Sequence, residues 1–233
     1  MINFENTNVY GFEGAIYGMR AAHESWDKSD SSWHVDIEED DESKTFNMSY
    51  ILGDNDLKLA TTLAKAGSDH GKFLRCIHVQ TYITAPIRWW VEMDTYKVGT
   101  TRLSTSLMHK VLNRPGKAFT REDFSTDHIL SAAAWKHFDD TVSTLNQMAD
   151  NYKGEYEYET EQKIPHEQSK KTWYEIQELV PRCYNYGSVL DLNYAVLRNI
   201  AHSDRKNHKQ DEWREGFFDW MKTLPYAEEL IFS

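Results

Sequence analysis

Residues 77–84 (IHVQTYIT) alternate, with Val79, Thr81 and Ile83 on one side. This is the period-two pattern of a half-buried strand. Ala85-Pro86 ends it, and proline, with its fixed φ and missing N–H, suits the first turn of a helix. Ile87–Asp94 (IRWWVEMD) continues that helix and places Trp89 and Trp90 side by side. Adjacent helical tryptophans read as core. A strand that feeds through proline into an aromatic helix requires both a sheet and a helical layer, and 233 residues suffice to bury a core between them.

The flanking segments fit this frame. Asn8–Phe12 (NVYGF) reads as a short strand, and Glu13–Trp26 carries Ile16, Met19 and Ala22 near helical spacing. Lys28–Lys44 is polar and acidic and reads as a surface loop or insertion. Asn55–Ala66 is a helix capped by Asp54 or Asn55, with Leu57, Ala60, Leu63 and Ala64 on one face and Gly67 beyond its end. Asn113–Lys117 reads as a turn. Thr126–Asn151 is expected to be the longest helix, with Ile129, Ala133, Val142, Leu145 and Met148 on its inner stripe, followed by a polar, exposed segment at 152–168. Ser169–Leu179, Val189–His202 and Gln210–Leu224 read as three further helices. No internal repeat or Gly/Ser linker divides the chain. The expected fold is α/β (α+β): a single helix-rich domain over residues 1–233 around a mainly antiparallel sheet, with polar insertions near 28–44 and 152–168.

Charge and cysteine usage narrow the function classes. The chain has 26 basic and 37 acidic residues, a net charge of −11. This argues against non-specific nucleic-acid binding, which works by phosphate neutralisation, while leaving room for a local pocket that takes one nucleotide. The two cysteines, Cys76 and Cys183, form no CxxC or metal spacing and fit a reducing, cytoplasmic setting. Cys76 is expected to alternate into the following strand as a buried structural thiol. No leader pattern and no bilayer-spanning run is apparent. Eight tryptophans are enough to fill a core and an interface, which points to an oligomer.

The segment Ala64–His109 (AKAGSDHGKFLRCIHVQTYITAPIRWWVEMDTYKVGTTRLSTSLMH) resembles the central block of flavin-dependent thymidylate synthases. In that family a Gly-His turn, an acid-His pair, a strand and an Ala-Pro helix precede the pattern Arg-His-Arg-x-x-Ser-x-Asn-x-x-Ser-x-Arg-Tyr. Laid together without a gap from Ala85-Pro86-Ile87, the triplet falls on Thr95, Tyr96 and Lys97. The first Ser then falls on Thr100, the Asn on Arg102 and the second Ser on Thr105, between Ser104 and Ser106. The pattern's phosphate-gripping Arg falls on Leu107, and the acid-His pair on Leu74-Arg75. A late block is similar in Val180-Pro181, Asn193-Tyr194, Arg205, His208 and Glu212, and the early Met19-Arg20-Ala21-Ala22 resembles the family's start.

The resemblance implies methylation of dUMP, or a similar pyrimidine deoxynucleotide, at carbon 5. Methylenetetrahydrofolate supplies the carbon, reduced FAD the hydride, and NADPH reduces the flavin. Sites lie between subunits of a homotetramer. By this likeness Arg205 and His208 polarise the base during catalysis, and Thr100, Arg102, Ser104, Thr105 and Ser106 form a hydroxyl-rich run that cradles the phosphate. Arg75, Tyr96 and Lys97 hold the cofactor. Glu92 stands where the family has a Gln that orients the base, and an acid there would accept from an exocyclic amine, as on cytosine. Arg-to-Leu replacement at 107 removes a bidentate anion contact. Two other readings fit the same residues. One is a non-catalytic nucleotide-binding or regulatory protein that keeps the scaffold. The other is a metal-dependent hydrolase built on Asp69-His70, Asp127-His128 and His202 or His208.

Overall fold

The computed structural model describes residues 2–39, 44–106 and 119–233. The chain runs β1 (Asn3–Tyr10), α1 (Phe12–Arg20), β2 (Ser32–Glu39), β3 (Lys44–Ile51), α2 (Asp54–Lys65), β4 (His78–Pro86), α3 (Ile87–Met93), β5 (Thr100–Ser104), α4 (Ala132–Glu161), α5 (Glu167–Leu179), β6 (Asn185–Asn193), α6 (Tyr194–Ala201) and α7 (Phe218–Lys222). One sheet has the strand order β1-β4-β6-β5, and β2 and β3 form a separate antiparallel pair. The fold is the expected mixture of helix and antiparallel sheet. The expected turn at Asn113–Lys117, and Leu107 with it, lie outside the described residues.

The chain forms two compact units. The larger comprises Phe4–Tyr82, Tyr96–Arg102 and Val189–Ser233. Val79 and Thr81 of β4 and Leu190 and Leu192 of β6 are buried in it, with Ile16, Ala60, Leu197, Ile200, Trp213, Phe217 and Met221 from the helices and turns. The chain enters α1 through Gly11 at φ 95°, and a Cβ there would stand 2.1 Å from the Cys76 carbonyl oxygen. Gly11→Ala is therefore expected to destabilise the fold by more than ~1 kcal/mol, read as a lowered midpoint in urea unfolding.

Several expectations for this unit need correction. Lys28–Lys44 is not a loop throughout: Ser32–Glu39 is a strand, because Trp33, Val35 and Ile37 alternate with His34 and Asp36 and pair in register with Tyr50, Met48 and Phe46. Neither Asp54 nor Asn55 caps α2. Its N-cap is Gly53, and the Asp30 carboxylate accepts from the Asn55 and Asp56 amides at 2.9 and 3.0 Å. Val189–His202 is not one helix. Tyr186, Ser188, Leu190 and Leu192 alternate as buried positions of β6, and Asn193 ends the strand by capping α6, its side-chain oxygen accepting from the Val196 amide at 3.1 Å. Cys76 is exposed, since a 3₁₀ turn over Gly71–Cys76 precedes β4 and keeps the thiol out of the strand's alternation.

The smaller unit comprises Met1–Asn3, Ile83–Thr95 and Leu103–Ser188. Trp89 and Trp90 are buried as expected, packed edge to face at 4.9 Å, and the Trp90 indole donates to the Tyr186 carbonyl at 3.1 Å. Phe124 lies edge-on to Phe138 and Tyr184 at 5.2 and 5.5 Å. The long helix α4 starts at Ala132, capped by Ser131, because Phe124 and Ser125 are drawn to Tyr184 and Cys183 as an isolated bridge. Phe138 and Leu145 are its buried inward residues, while Ala133 is exposed and Ile129 precedes the helix. The helix also runs on through Glu161, so residues 152–161 of the polar segment are helical. Glu155 and Glu159 face α5: the Glu159 carboxylate accepts from the Gln168 amide at 2.8 Å and from the Ser169 hydroxyl, and Glu155 accepts from the Thr172 hydroxyl. Polar residues there read as solvent-facing but supply the cap of the next helix.

Candidate functional site

The charged run Asp204–Trp213 follows α6 in the larger unit. Ser203 seeds its turn by donating to the Ile200 carbonyl at 2.7 Å and accepting from the Arg205 amide at 3.2 Å. Asn207 closes the 3₁₀ turn through Asp204 at 3.0 Å. The result places the Arg205 guanidinium beside two neighbouring aromatic rings, 5.5 Å from the Tyr96 ring centroid and 5.1 Å from that of Trp213, which are themselves 6.1 Å apart. Its Nε donates to the Tyr96 hydroxyl at 3.0 Å. Contact with both rings and the bond to the Tyr96 hydroxyl hold the planar head in place.

His208 is fixed in another way. Its Nδ1 accepts from the Gln210 amide at 3.2 Å, so the neutral ring carries its proton on Nε2 and presents a donor there. Tyr96, Ser203, Asp204, Arg205, Asn207, His208, Lys209 and Gln210 together line a groove of about 510 Å³. The Gln210 Oε1 is buried without a hydrogen-bond partner, which leaves an acceptor in a lining otherwise rich in donors. Such a lining matches a ligand that carries an anion, carbonyl oxygens and one N–H group.

Of the expected site residues, Tyr96, Arg205 and His208 line this groove. Arg75 lines a different cavity, about 290 Å³, with Lys65, Ser68, Asn199, His202 and the Arg198 side chain over an apolar floor of Ala64, Leu74 and Ala195. Burial holds Arg198 below the usual guanidinium range, and its donors are committed to the Leu230 and Ser233 carbonyls and the Ser233 hydroxyl. Lys97 is exposed and lines neither cavity.

The expected hydroxyl run is strand rather than loop at its start. Thr100, Arg102 and Ser104 lie on β5. Thr100 and Arg102 are half-buried, Ser104 is exposed, and the Thr100 Oγ1 is buried without a hydrogen-bond partner. Thr105 commits both its amide and its hydroxyl to the Gly187 carbonyl, at 3.0 and 2.8 Å. Ser106 is exposed, and Glu92 is half-buried on α3 in the smaller unit. Asn207, Lys209, Gln210 and Trp213 were not singled out by sequence, although the DRKNHKQDEW run contains all four. No group of three or more His, Cys, Asp or Glu among the described residues could hold a metal ion, and no described helix is long and apolar enough to cross a membrane.

No protein-family model matches the sequence, and no curated protein does. Solved structures match along the whole chain. Thymidylate Synthase X (ThyX) from Helicobacter pylori, solved with FAD and dUMP, superposes with a TM-score of 0.60 at 12% identity, over 100% of this chain and 98% of that one. A second structure of flavin-dependent thymidylate synthase ThyX from Helicobacter pylori, also complexed with FAD and dUMP, gives 0.59 at 13% identity over 98% of both chains. At this identity the likeness establishes the fold.

Proposed function

We propose that this chain binds a pyrimidine deoxynucleotide of the dUMP class in the Tyr96–Arg205–His208 groove and, with FAD, transfers a one-carbon unit to carbon 5 of the base. The observation that carries the reading is the convergence of those three residues on a fold that superposes end to end with an enzyme solved with dUMP. Uracil presents N3–H between two carbonyls. Arg205 and the His208 Nε2–H donate to the carbonyl edge and stabilise negative charge that develops there as carbon 5 becomes nucleophilic. Gln210 Oε1 accepts from N3–H, and Lys209 offers a cation to the phosphate. Cytosine has an acceptor at N3 and would leave Gln210 facing a lone pair. Competition binding is therefore expected to favour dUMP over dCMP, and Gln210→Leu to shrink that preference.

The residues around Arg75 fit the anionic part of FAD: Arg75, Lys65 and His202 are cationic or ionisable, and Asn199 and Ser68 add neutral donors. FAD bound there, once reduced by NADPH, would supply the hydride of the transfer, and a methylene-bearing folate the carbon. The protein acts as a cytoplasmic homo-oligomer.

A second reading, a nucleotide-binding protein without the chemistry, is favoured by two observations. Buried Leu74 and exposed Arg75 occupy the acid-His positions of the resemblance, and Thr105 spends its hydroxyl on Gly187. The visible spectrum after FAD addition and gel filtration separates the two readings. Retained flavin bands support the transferase. A colourless protein that still binds dUMP supports the binder and refutes the transferase.

A further inference from the structure

The β2–β3 hairpin presents an apolar face that stays exposed among the described residues. In register, Trp33 pairs with Tyr50, Val35 with Met48 and Ile37 with Phe46, so all six side chains project to one side. Trp33, Val35, Ile37, Phe46 and Met48 are 50, 52, 57, 62 and 65% exposed. The opposite side carries His34, Asp36, Asn47 and Ser49. A lone two-stranded hairpin is at best marginally stable in water, and the other sheet in the chain does not include it.

We propose that this face packs against the same face of a second copy of the chain, across a two-fold axis that passes between the two Val35 residues. Area supports a copy as the occupant. The five exposed side chains offer on the order of 500 Å² per chain, which with the strand edges approaches the ~800 Å² that each partner buries in a standard interface. A two-fold contact is also self-complementary by construction.

An axis across the strands sets Val35 on Val35 and Met48 on Met48, and places Trp33 against Ile37 and Tyr50 against Phe46, so that large and small side chains alternate across the contact. The net charge of −11 disfavours an anionic membrane or a nucleic acid as the occupant. The inference is independent of the proposed chemistry, because nucleotide binding by a monomer would leave the groove reading intact.

The test is sedimentation of the full chain and two variants, Val35→Lys and Val35→Glu, whose side chains start half exposed and whose fold circular dichroism verifies. The wild type is expected to sediment as an oligomer, and each variant alone to lose one level of assembly by like-charge repulsion at the axis. Mixing the two variants is expected to restore it. A monomeric wild type overturns the proposal, as do variants that assemble like the wild type. Variants that dissociate but do not recombine on mixing overturn the Val35-to-Val35 arrangement. A monomer that floats with neutral phosphatidylcholine vesicles assigns the face to lipid and equally refutes the copy.

Discussion

Arg205→Ala is expected to weaken dUMP binding about 10- to 100-fold, the equivalent of losing one or two charge-assisted hydrogen bonds at ~1.5–3 kcal/mol. Isothermal titration reads this directly. The size follows from the way the guanidinium is held. Packed beside Tyr96 and Trp213, and tied to the Tyr96 hydroxyl at 3.0 Å, it meets a ligand with little further loss of rotamer freedom. Arg205→Lys is expected to recover only a small part of the loss, because an ammonium neither lies flat against the rings nor donates in a fork. Tyr96→Phe removes the hydroxyl but leaves the ring face, so its effect should be smaller than that of Arg205→Ala. Equal binding by wild type and Arg205→Ala would remove the groove from consideration.

The second large effect concerns the fold. Arg20 and Asp56 form a buried ion pair at 2.6 Å. The Arg20 guanidinium also donates to the Ser25 and Lys28 carbonyls at 3.1 and 3.0 Å. Asp56 accepts from the Ser29 and Ser31 hydroxyls, both at 2.6 Å, and from the Asp30 and Ser31 amides. This network pins the segment that leads into the hairpin onto α2. Arg20→Ala would leave a buried carboxylate without its cation, a change that costs roughly 3–5 kcal/mol. For a chain of this size that lowers Tm by about 10 °C, a shift that calorimetry would detect. Arg20→Met, which keeps the volume, is still expected to destabilise.

The same carboxylate sets a pH dependence. Burial pushes Asp56 upward, but the bonds from Ser29, Ser31 and Arg20 outweigh it and hold the group below the ordinary carboxylate value. A folded-state value below the unfolded one means that the stabilisation is complete above about pH 4 and is lost as pH falls through the folded value. Asp191 has the same sign: burial opposes ionisation, and bonds from His78, Gln80 and Tyr10 prevail. Acid unfolding should therefore set in below pH 4, and earlier in Ser29→Ala, which removes one donor.

The parts of this structure that were legible in sequence are those whose periodicity was unmixed. Val79, Thr81 and Ile83 gave β4, Ala60 and Ala64 lie on the buried side of α2, and the Trp89-Trp90 pair is core. Where polar residues serve structure, the pattern misled. Glu159 sits in the polar stretch after the expected end of the long helix, yet it is buried as a cap for α5. Ser188 is fully buried in β6, and this polar inward position hid the alternation of a strand that read as helix. The hairpin's alternation was masked by its acids and by an apolar face that stays exposed. For the site, Tyr96, Arg205 and His208 were found through their resemblance to a motif. Gln210 could not be, because its role depends on a turn that fixes the His208 ring. Thr105 reads as a phosphate donor in sequence, and only the fold reveals its bond to Gly187.

The most direct measurement of the central claim is hydrogen–deuterium exchange of the wild-type protein with and without dUMP. Protection is expected in peptides that cover Ser203–Gln210 and Tyr96, with little change in α4 and α5. Protection confined to other segments, or none at saturating dUMP, would contradict a nucleotide site at Arg205 and His208.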